Sequence, residues 1–156
     1  MMDKEKTFYE LIETLYETSR LLNSYENIPR KYGTEEELYM IEAHTLNLIG
    51  EKIKTTTTEI AEINNRTKSA VSQIVDKLIK KDLVVKYRNP ENYRELIIEL
   101  TPKGHLVYDY HKKLDQQEYG NYLKSLEHYS AEDFEKYNGM LNIINHRLLN
   151  LINDKG

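Results

Sequence analysis

The chain has no cysteine, no tryptophan, only two phenylalanines and no long apolar run. Without thiols there can be no disulfide, no thiolate zinc site and no cysteine-based redox switch. No stretch approaches the roughly 20 apolar residues that a membrane span requires. The opening residues, Met1-Met2-Asp3-Lys4-Glu5-Lys6, are polar and lead into no apolar core of signal-peptide length. The expected location is therefore cytoplasmic, with no membrane partner. A glycine-rich phosphate loop, a nucleophile elbow and a paired-histidine metal motif are also missing, so no enzyme activity and no cofactor are expected. The run Glu35-Glu36-Glu37 reads as helix-dipole charge at a helix N-terminus, not as a catalytic pair.

What the chain does have is charge, tyrosine and helical periodicity. At 156 residues, 39% apolar and 31% charged, it suits one compact helix-rich domain or two closely packed halves. Its 13 tyrosines can bury a ring while keeping the hydroxyl wet, which suits interfaces and half-buried pockets. Compositional drift is the plainer account of them. The net charge is −4, but it is unevenly spread. Between Asn64 and Lys103 nine lysines and arginines stand against five acids, while the remainder carries 13 against 21. A basic module on an acidic body attracts phosphate at one face and repels it elsewhere.

Residues 7–25 carry Phe8, Leu11, Ile12, Leu15 and Leu22 on one helical stripe, ended by Pro29 to Gly33. Thr34 with Glu37 predicts a capping box opening a second helix. That helix places Leu38, Ile41, Thr45, Leu48 and Ile49 inward and stops at Gly50 as a C-terminal glycine. A second box, Thr56-x-x-Glu59, opens a short helix with Ile60, Ala61 and Ile63. Asn64-Asn65-Arg66 forms a turn, and Thr67 caps the next helix. There Val71, Ile74, Val75, Leu78 and Ile79 make an inward stripe. Leu83 to Arg88 predicts a strand, Asn89-Pro90-Glu91-Asn92 a turn, and a second strand runs to Leu100. Thr101-Pro102 starts a further helix in the favoured order. Leu106, Tyr110, Leu114, Tyr122, Leu123 and Leu126 mark that helix. Ser130 with Asp133 caps a last one, whose Phe134, Tyr137, Leu141, Ile144, Leu148 and Leu151 form a heptad seam. A seam this regular implies a helical partner, within the chain, in a second subunit, or both.

The expected fold is therefore mainly α with a small β-hairpin: a winged helix-turn-helix with a helical dimerisation body. Residues 34–103 form the DNA-binding domain and residues 1–33 and 104–156 the dimerisation region. A helix over 67–81 would enter the major groove of double-stranded DNA, with a wing over 88–95 in the minor groove. On the first turns of that helix, Lys68, Ser69, Ser72 and Gln73 face outward. An amide such as Gln73 pairs with adenine in bidentate fashion. Arg66, Lys77 and Lys80 suit phosphates. In the wing, Arg94 suits a narrow minor groove, flanked by Tyr93 and Arg88. A surface salt bridge from Arg94 to Glu91 or Glu95 is the competing assignment.

These residues resemble the MarR family of bacterial winged-helix regulators. The likeness runs from Thr57-x-Glu59-Ile60-Ala61-x-Ile63 through Thr67-Lys68-Ser69-Ala70-Val71-Ser72 to Lys81-x-Leu83-Val84, then Asn92-x-Arg94 and Leu100-Thr101. Asn92 stands where the family usually carries an aspartate that pairs with an arginine to brace the wing. The resemblance implies a homodimer on a palindromic operator, and repression governed by a ligand. A two-fold dimer would set its recognition helices one DNA turn apart, roughly 34 Å.

Glu42-Ala43-His44-Thr45-Leu46 with His111 is similar to a branch that represses fatty-acid-synthesis genes, which implies an acyl or other small-molecule effector near His44, Tyr110 and His111. It is also similar to zinc-sensing members, in which His44, His111 and Asp115 would be metal donors. A winged-helix module that binds protein instead of DNA is a further alternative. The same segment could also be ordinary tyrosine-rich packing at Tyr9, Tyr16, Tyr39 and Tyr110.

Overall fold

The computed structural model describes residues 3–154. Its elements are α1 (Lys4–Glu26), β1 (Arg30–Lys31), β2 (Glu37–Leu38), α2 (Met40–Lys52), α3 (Thr57–Ile63), α4 (Lys68–Lys80), β3 (Val84–Arg88), β4 (Leu96–Leu100), α5 (Pro102–Ser125) and α6 (Ala131–Asn153). The chain divides into two compact units, residues 1–114 and 115–156, and the boundary falls within α5.

In the first unit, α1 starts three residues earlier than its apolar stripe suggests. The Asp3 carboxylate accepts from Glu5 N at 3.0 Å and so caps the helix. No residue of α1 is buried, and Phe8 and Leu22 are about half exposed.

The segment after α1 differs from expectation. Thr34 and Glu37 open no helix; residues 30–38 form a short antiparallel hairpin pairing Arg30 with Leu38 and Lys31 with Glu37. Tertiary contacts override the local capping signal. Tyr32 and Leu38 are buried in the core, and Lys31 pairs with Glu35 at 2.6 Å. Glu36 pairs with Lys103 and so is not a helix-dipole charge. The hairpin bends at Gly33, whose φ of +75° and contact with the Tyr110 ring both exclude a side chain. Helix α2 then starts at Met40, where the Glu42 carboxylate accepts from Tyr39 N at 2.9 Å.

Helix α2 also runs past Gly50 to Lys52. Gly50 does not end it. Its missing side chain admits the Tyr108 ring, which an added Cβ would meet at 2.6 Å. Ile53 ends the helix instead, with φ 66°, in a tight turn closed by Lys54 N donating to Lys52 O at 2.7 Å. The residue that follows this turn makes an isolated antiparallel bridge to the edge of the wing sheet. Thr55 exchanges both backbone bonds with Ile98, at 3.2 and 2.8 Å.

Helices α3 and α4 form the helix-turn-helix, and their caps agree with the sequence. Thr56 Oγ1 accepts from Glu59 N at 3.1 Å, and Thr67 Oγ1 from Ala70 N at 3.2 Å. Each helix ends in a left-handed residue with paired return bonds. Asn65 (φ 48°) precedes Arg66 N donating to Ala61 O at 2.9 Å. Asp82 (φ 57°) precedes Leu83 N donating to Leu78 O at 3.0 Å. Val71, Ile74, Val75 and Leu78 of α4 join Ala43, Leu46, Ile49, Ile60, Ile98 and Val107 in one core. Ile79, expected inward, is 37% exposed.

The wing pairs Val84 with Leu100 through to Arg88 with Leu96. Its end meets α5 at Thr101, whose hydroxyl donates to Asp82 O at 2.7 Å and accepts from Gly104 N at 2.9 Å. Along α5, Gly104, Val107 and His111 face the core, one residue removed from the expected Leu106 and Tyr110, which are exposed.

The second unit holds the end of α5 and all of α6. Ser130 and Asp133 form the expected reciprocal cap, with bonds of 2.9 and 3.2 Å. The backbone N–H and hydroxyl of Ser130 hold the Asp133 carboxyl below its ordinary range. No residue of α6 is buried, and its seam residues Tyr137, Leu148 and Leu151 are exposed.

Candidate nucleic-acid interface

The amphipathic pattern of α4 buries one face and leaves the other in water. Lys68, Ser69, Gln73 and Lys77 are exposed on it, Ser72 is half-buried, and Arg66 is exposed in the preceding turn. Asp76 lies on the same exposed side. Arg66, Lys68, Lys77 and Lys80 make no ion pair or side-chain hydrogen bond among the described residues. Their charge is therefore not cancelled locally. The surplus read from the sequence is smaller elsewhere, because Lys81 is bonded to Glu42 and Lys103 to Glu36.

The wing tip is built of two consecutive β-turns that share Asn92. Asn92 N donates to Asn89 O at 3.2 Å, with Pro90 in its preferred position, and Glu95 N donates to Asn92 O at 2.9 Å. Tyr93 is 72% exposed and Arg94 is exposed. The Arg94 guanidinium has no partner among the described residues, so neither Glu91 nor Glu95 holds it. Glu95 instead accepts from Asn89 Nδ2 at 2.6 Å. Arg88 is also exposed, but its Nη1 donates to Tyr93 O at 2.8 Å. Between the wing and α3 lies a cleft of about 650 Å³, with Thr57, Thr58, Glu62, Asn92 and Arg94 on its walls.

The wing sheet carries its own charge cluster. Tyr87 OH donates to Glu99 Oε1 at 2.6 Å, and Lys54 Nζ lies 3.2 Å from the same oxygen. Tyr87 and then Lys54 hold the Glu99 carboxyl below its usual range, against the opposing push of desolvation. The same bonds raise the Tyr87 phenol and the Lys54 ammonium.

A second cluster gathers two of the residues expected around an effector. The His44 and His111 rings lie edge to face, 5.8 Å between centroids. His111 is buried, packs against the Tyr32 ring in a tilted arrangement with 4.9 Å between centroids, and its Nδ1 lies 2.7 Å from Asn47 Nδ2. Sequence reasoning did not include Tyr32 or Asn47. Tyr110 is exposed and packs on Gly33. Asp115 falls in the second unit. Among the described residues no group of three or more histidines, cysteines, aspartates or glutamates is gathered for a metal ion.

Two helices joined by a tight turn, a two-stranded wing and an outward basic helix face define a winged helix-turn-helix protein. The MarR family model matches residues 38–96, from the end of the hairpin to the wing, and over that stretch the chain is similar to that family. Over 103 residues it is 30% identical to the uncharacterized HTH-type transcriptional regulator YhjH of Bacillus subtilis (strain 168). That match covers 66% of this chain and spans 59% of the relative's length. Its fold is similar to that of Lactococcus lactis ZitR, a zinc-responsive MarR family member, with TM-score 0.71 at 17% identity over 91% of this chain and 99% of that one. It is also similar to Streptococcus pneumoniae FabT, solved in complex with DNA, with TM-score 0.67 at 19% identity over 95% and 99% of the two chains.

Proposed function

We propose that this protein is a sequence-specific, double-stranded-DNA-binding transcriptional regulator with no enzymatic activity. It acts as a repressor, as a homodimer on a palindromic operator. The observation that carries this reading is the row of unpaired, exposed cations, Arg66, Lys68, Lys77 and Lys80, joined by the unpaired Arg94 of the wing. Cations left without partners on a solvated face are those able to displace counterions from phosphate. Helix α4 lies in the major groove, with Lys68, Ser69, Ser72 and Gln73 toward base edges and Arg66 and Lys77 on phosphates. The wing places Tyr93 and Arg94 at the minor groove. The description of YhjH as an HTH-type transcriptional regulator and the DNA complex of FabT support the same role.

Dimerisation is assigned to residues 1–33 and 104–156, outside a DNA-binding domain at 34–103. Exposed apolar residues on α1 (Phe8, Leu22) and, separately, on α6 (Tyr137, Leu148, Leu151) support it. A small-molecule or acyl effector is assigned to the surroundings of His44 and His111. The approach of the two rings supports this assignment.

Binding to a generic duplex, followed while salt is raised, tests the core of the proposal. The logarithm of affinity should fall linearly with log salt, by about 0.9 per neutralised phosphate. No affinity for duplex DNA at low salt would refute the reading in favour of a protein-binding module. Native mass spectrometry of the same sample should give a dimer and report any retained ligand or zinc.

A further inference from the structure

The Tyr93–Arg94 peptide unit is held at both ends. Its carbonyl, Tyr93 O, accepts from Arg88 Nη1 at 2.8 Å, and its N–H, on Arg94, donates to Asn92 Oδ1 at 3.3 Å. Fixing the plane of one peptide fixes where the following Cα stands and leaves φ and the side-chain torsions to set its direction, so it narrows the range that side chain can sweep. That side chain is Arg94, whose guanidinium has no partner among the described residues.

Arg88 is well placed for this task. It closes the strand ladder opposite Leu96, at the root of the tip. The tip above it is tied mainly by backbone and amide groups. Asn89 N donates to Glu95 O at 2.9 Å, Glu91 N donates to Asn89 Oδ1 at 3.0 Å, and the two β-turns meet at Asn92. Arg94 forms no ion pair among the described residues, although Glu62 and Glu95 line the same cleft; the Glu95 carboxylate is engaged by Asn89 Nδ2 at 2.6 Å.

We propose that Arg88 is a positioning residue for DNA recognition: it aims Arg94 by holding the Tyr93 carbonyl, and it is not itself a phosphate contact. This rests on the DNA-binding reading above and assigns a different task to one residue of the same wing. A guanidinium committed to a backbone carbonyl has fewer donors left for phosphate, and an unbraced tip would let Arg94 sample many directions before docking.

The test uses the full chain and a synthetic duplex selected from a random pool by the wild-type protein. Four variants are compared: Arg88→Met, Arg88→Gln, Arg94→Ala and the double variant Arg88→Met with Arg94→Ala. Arg88→Met should lose roughly tenfold in affinity, the worth of one charge-assisted hydrogen bond. In the Arg94→Ala background it should lose less than about twofold, because a residue that acts through another has nothing left to act on. Arg88→Gln, neutral but still a donor, should keep the wild-type salt slope. In the free protein, Arg88→Met should speed hydrogen exchange at the Arg94 amide.

Losses that simply add in the double variant, or an Arg88→Gln salt slope shallower by about 0.9, would make Arg88 a phosphate contact and overturn the proposal. Unchanged exchange at the Arg94 amide would overturn it as well. If the wild-type chain enriches no duplex, the DNA-binding reading fails and the positioning role goes with it. If the wild-type chain binds and the two losses add, only the positioning role fails.

Discussion

Lys81 closes the C-terminus of α4 onto Glu42 of α2, its Nζ 2.8 and 3.0 Å from the two carboxylate oxygens, and donates a third bond to Glu37 O at 2.8 Å. The Glu42 side chain is 2% exposed, that of Lys81 27%. One ammonium thus ties α4 to the hairpin and to α2. Removing one partner of such a pair leaves the other charge uncompensated in the interior. Lys81→Met should therefore lower stability by about 3 kcal/mol, the low end for a buried pair because the lysine is partly wet. Urea unfolding should show an earlier midpoint at an unchanged slope.

Gly104 sits where α5 passes the backbone of Leu83. A Cβ at this position would stand 2.0 Å from Leu83 O, an oxygen that also accepts from Thr101 N at 3.0 Å. No flexible side chain is there to give way. Gly104→Ala should destabilise by about 3 kcal/mol, at the upper end for overpacking. A thermal melt no lower than that of the wild type would show that the α5 start can shift freely.

The wing sheet should loosen in acid. Glu99 is held below its ordinary carboxyl range by the Tyr87 hydroxyl first and Lys54 next. Between the folded and unfolded values the unfolded chain binds more protons, so stability rises with pH there. The contribution is fully present above the unfolded value, about 4.3, and is lost as pH falls through the lower folded value. Tyr87→Phe removes the larger cause. The variant should show a shallower loss of stability below pH ~4.3 than the wild type, measured by urea unfolding at several acid pH values.

Local chemistry made most of the helix-turn-helix legible. Thr56, Thr67 and Ser130 cap within three residues of themselves, and the α4 stripe repeats every turn, so neighbours alone decide them. Pro90 likewise sets its own turn. The segment 30–39 was not legible, because its partners are distant. Glu37 O is bonded by Lys81, 44 residues on, and Glu36 by Lys103, 67 residues on. Tyr32 packs on His111. Gly50 looked like a helix end because a glycine there is equally explained by a distant ring that needs the space. The outward residues of α4 and the wing were readable as exposed, but the commitment of Arg88 to a carbonyl leaves no trace in composition or spacing.

Arg94 makes no side-chain bond within the described residues, so its removal should leave the fold intact. On the DNA-binding reading, Arg94→Ala should weaken operator binding strongly while oligomeric state and melting temperature stay near those of the wild type. A narrow minor groove concentrates negative potential, and alanine forfeits that attraction. Equal affinities for the two proteins would refute the wing assignment.

Gln73 is exposed on α4, two turns from the Thr67 cap, and likewise makes no side-chain hydrogen bond among the described residues. Its amide offers a donor and an acceptor on one rigid plane, the pattern that adenine presents in the major groove. Lys68 and Lys77 on the same helix offer charge only, which every sequence satisfies equally. Gln73→Ala should therefore flatten the preference at one base position by roughly 1–3 kcal/mol, leaving other positions and the salt slope unchanged. Affinities for a set of duplexes differing at single positions would show it. A uniform loss across the set would mark Gln73 as a backbone contact that sets register, and base discrimination would have to come from Ser69, Ser72 or the wing.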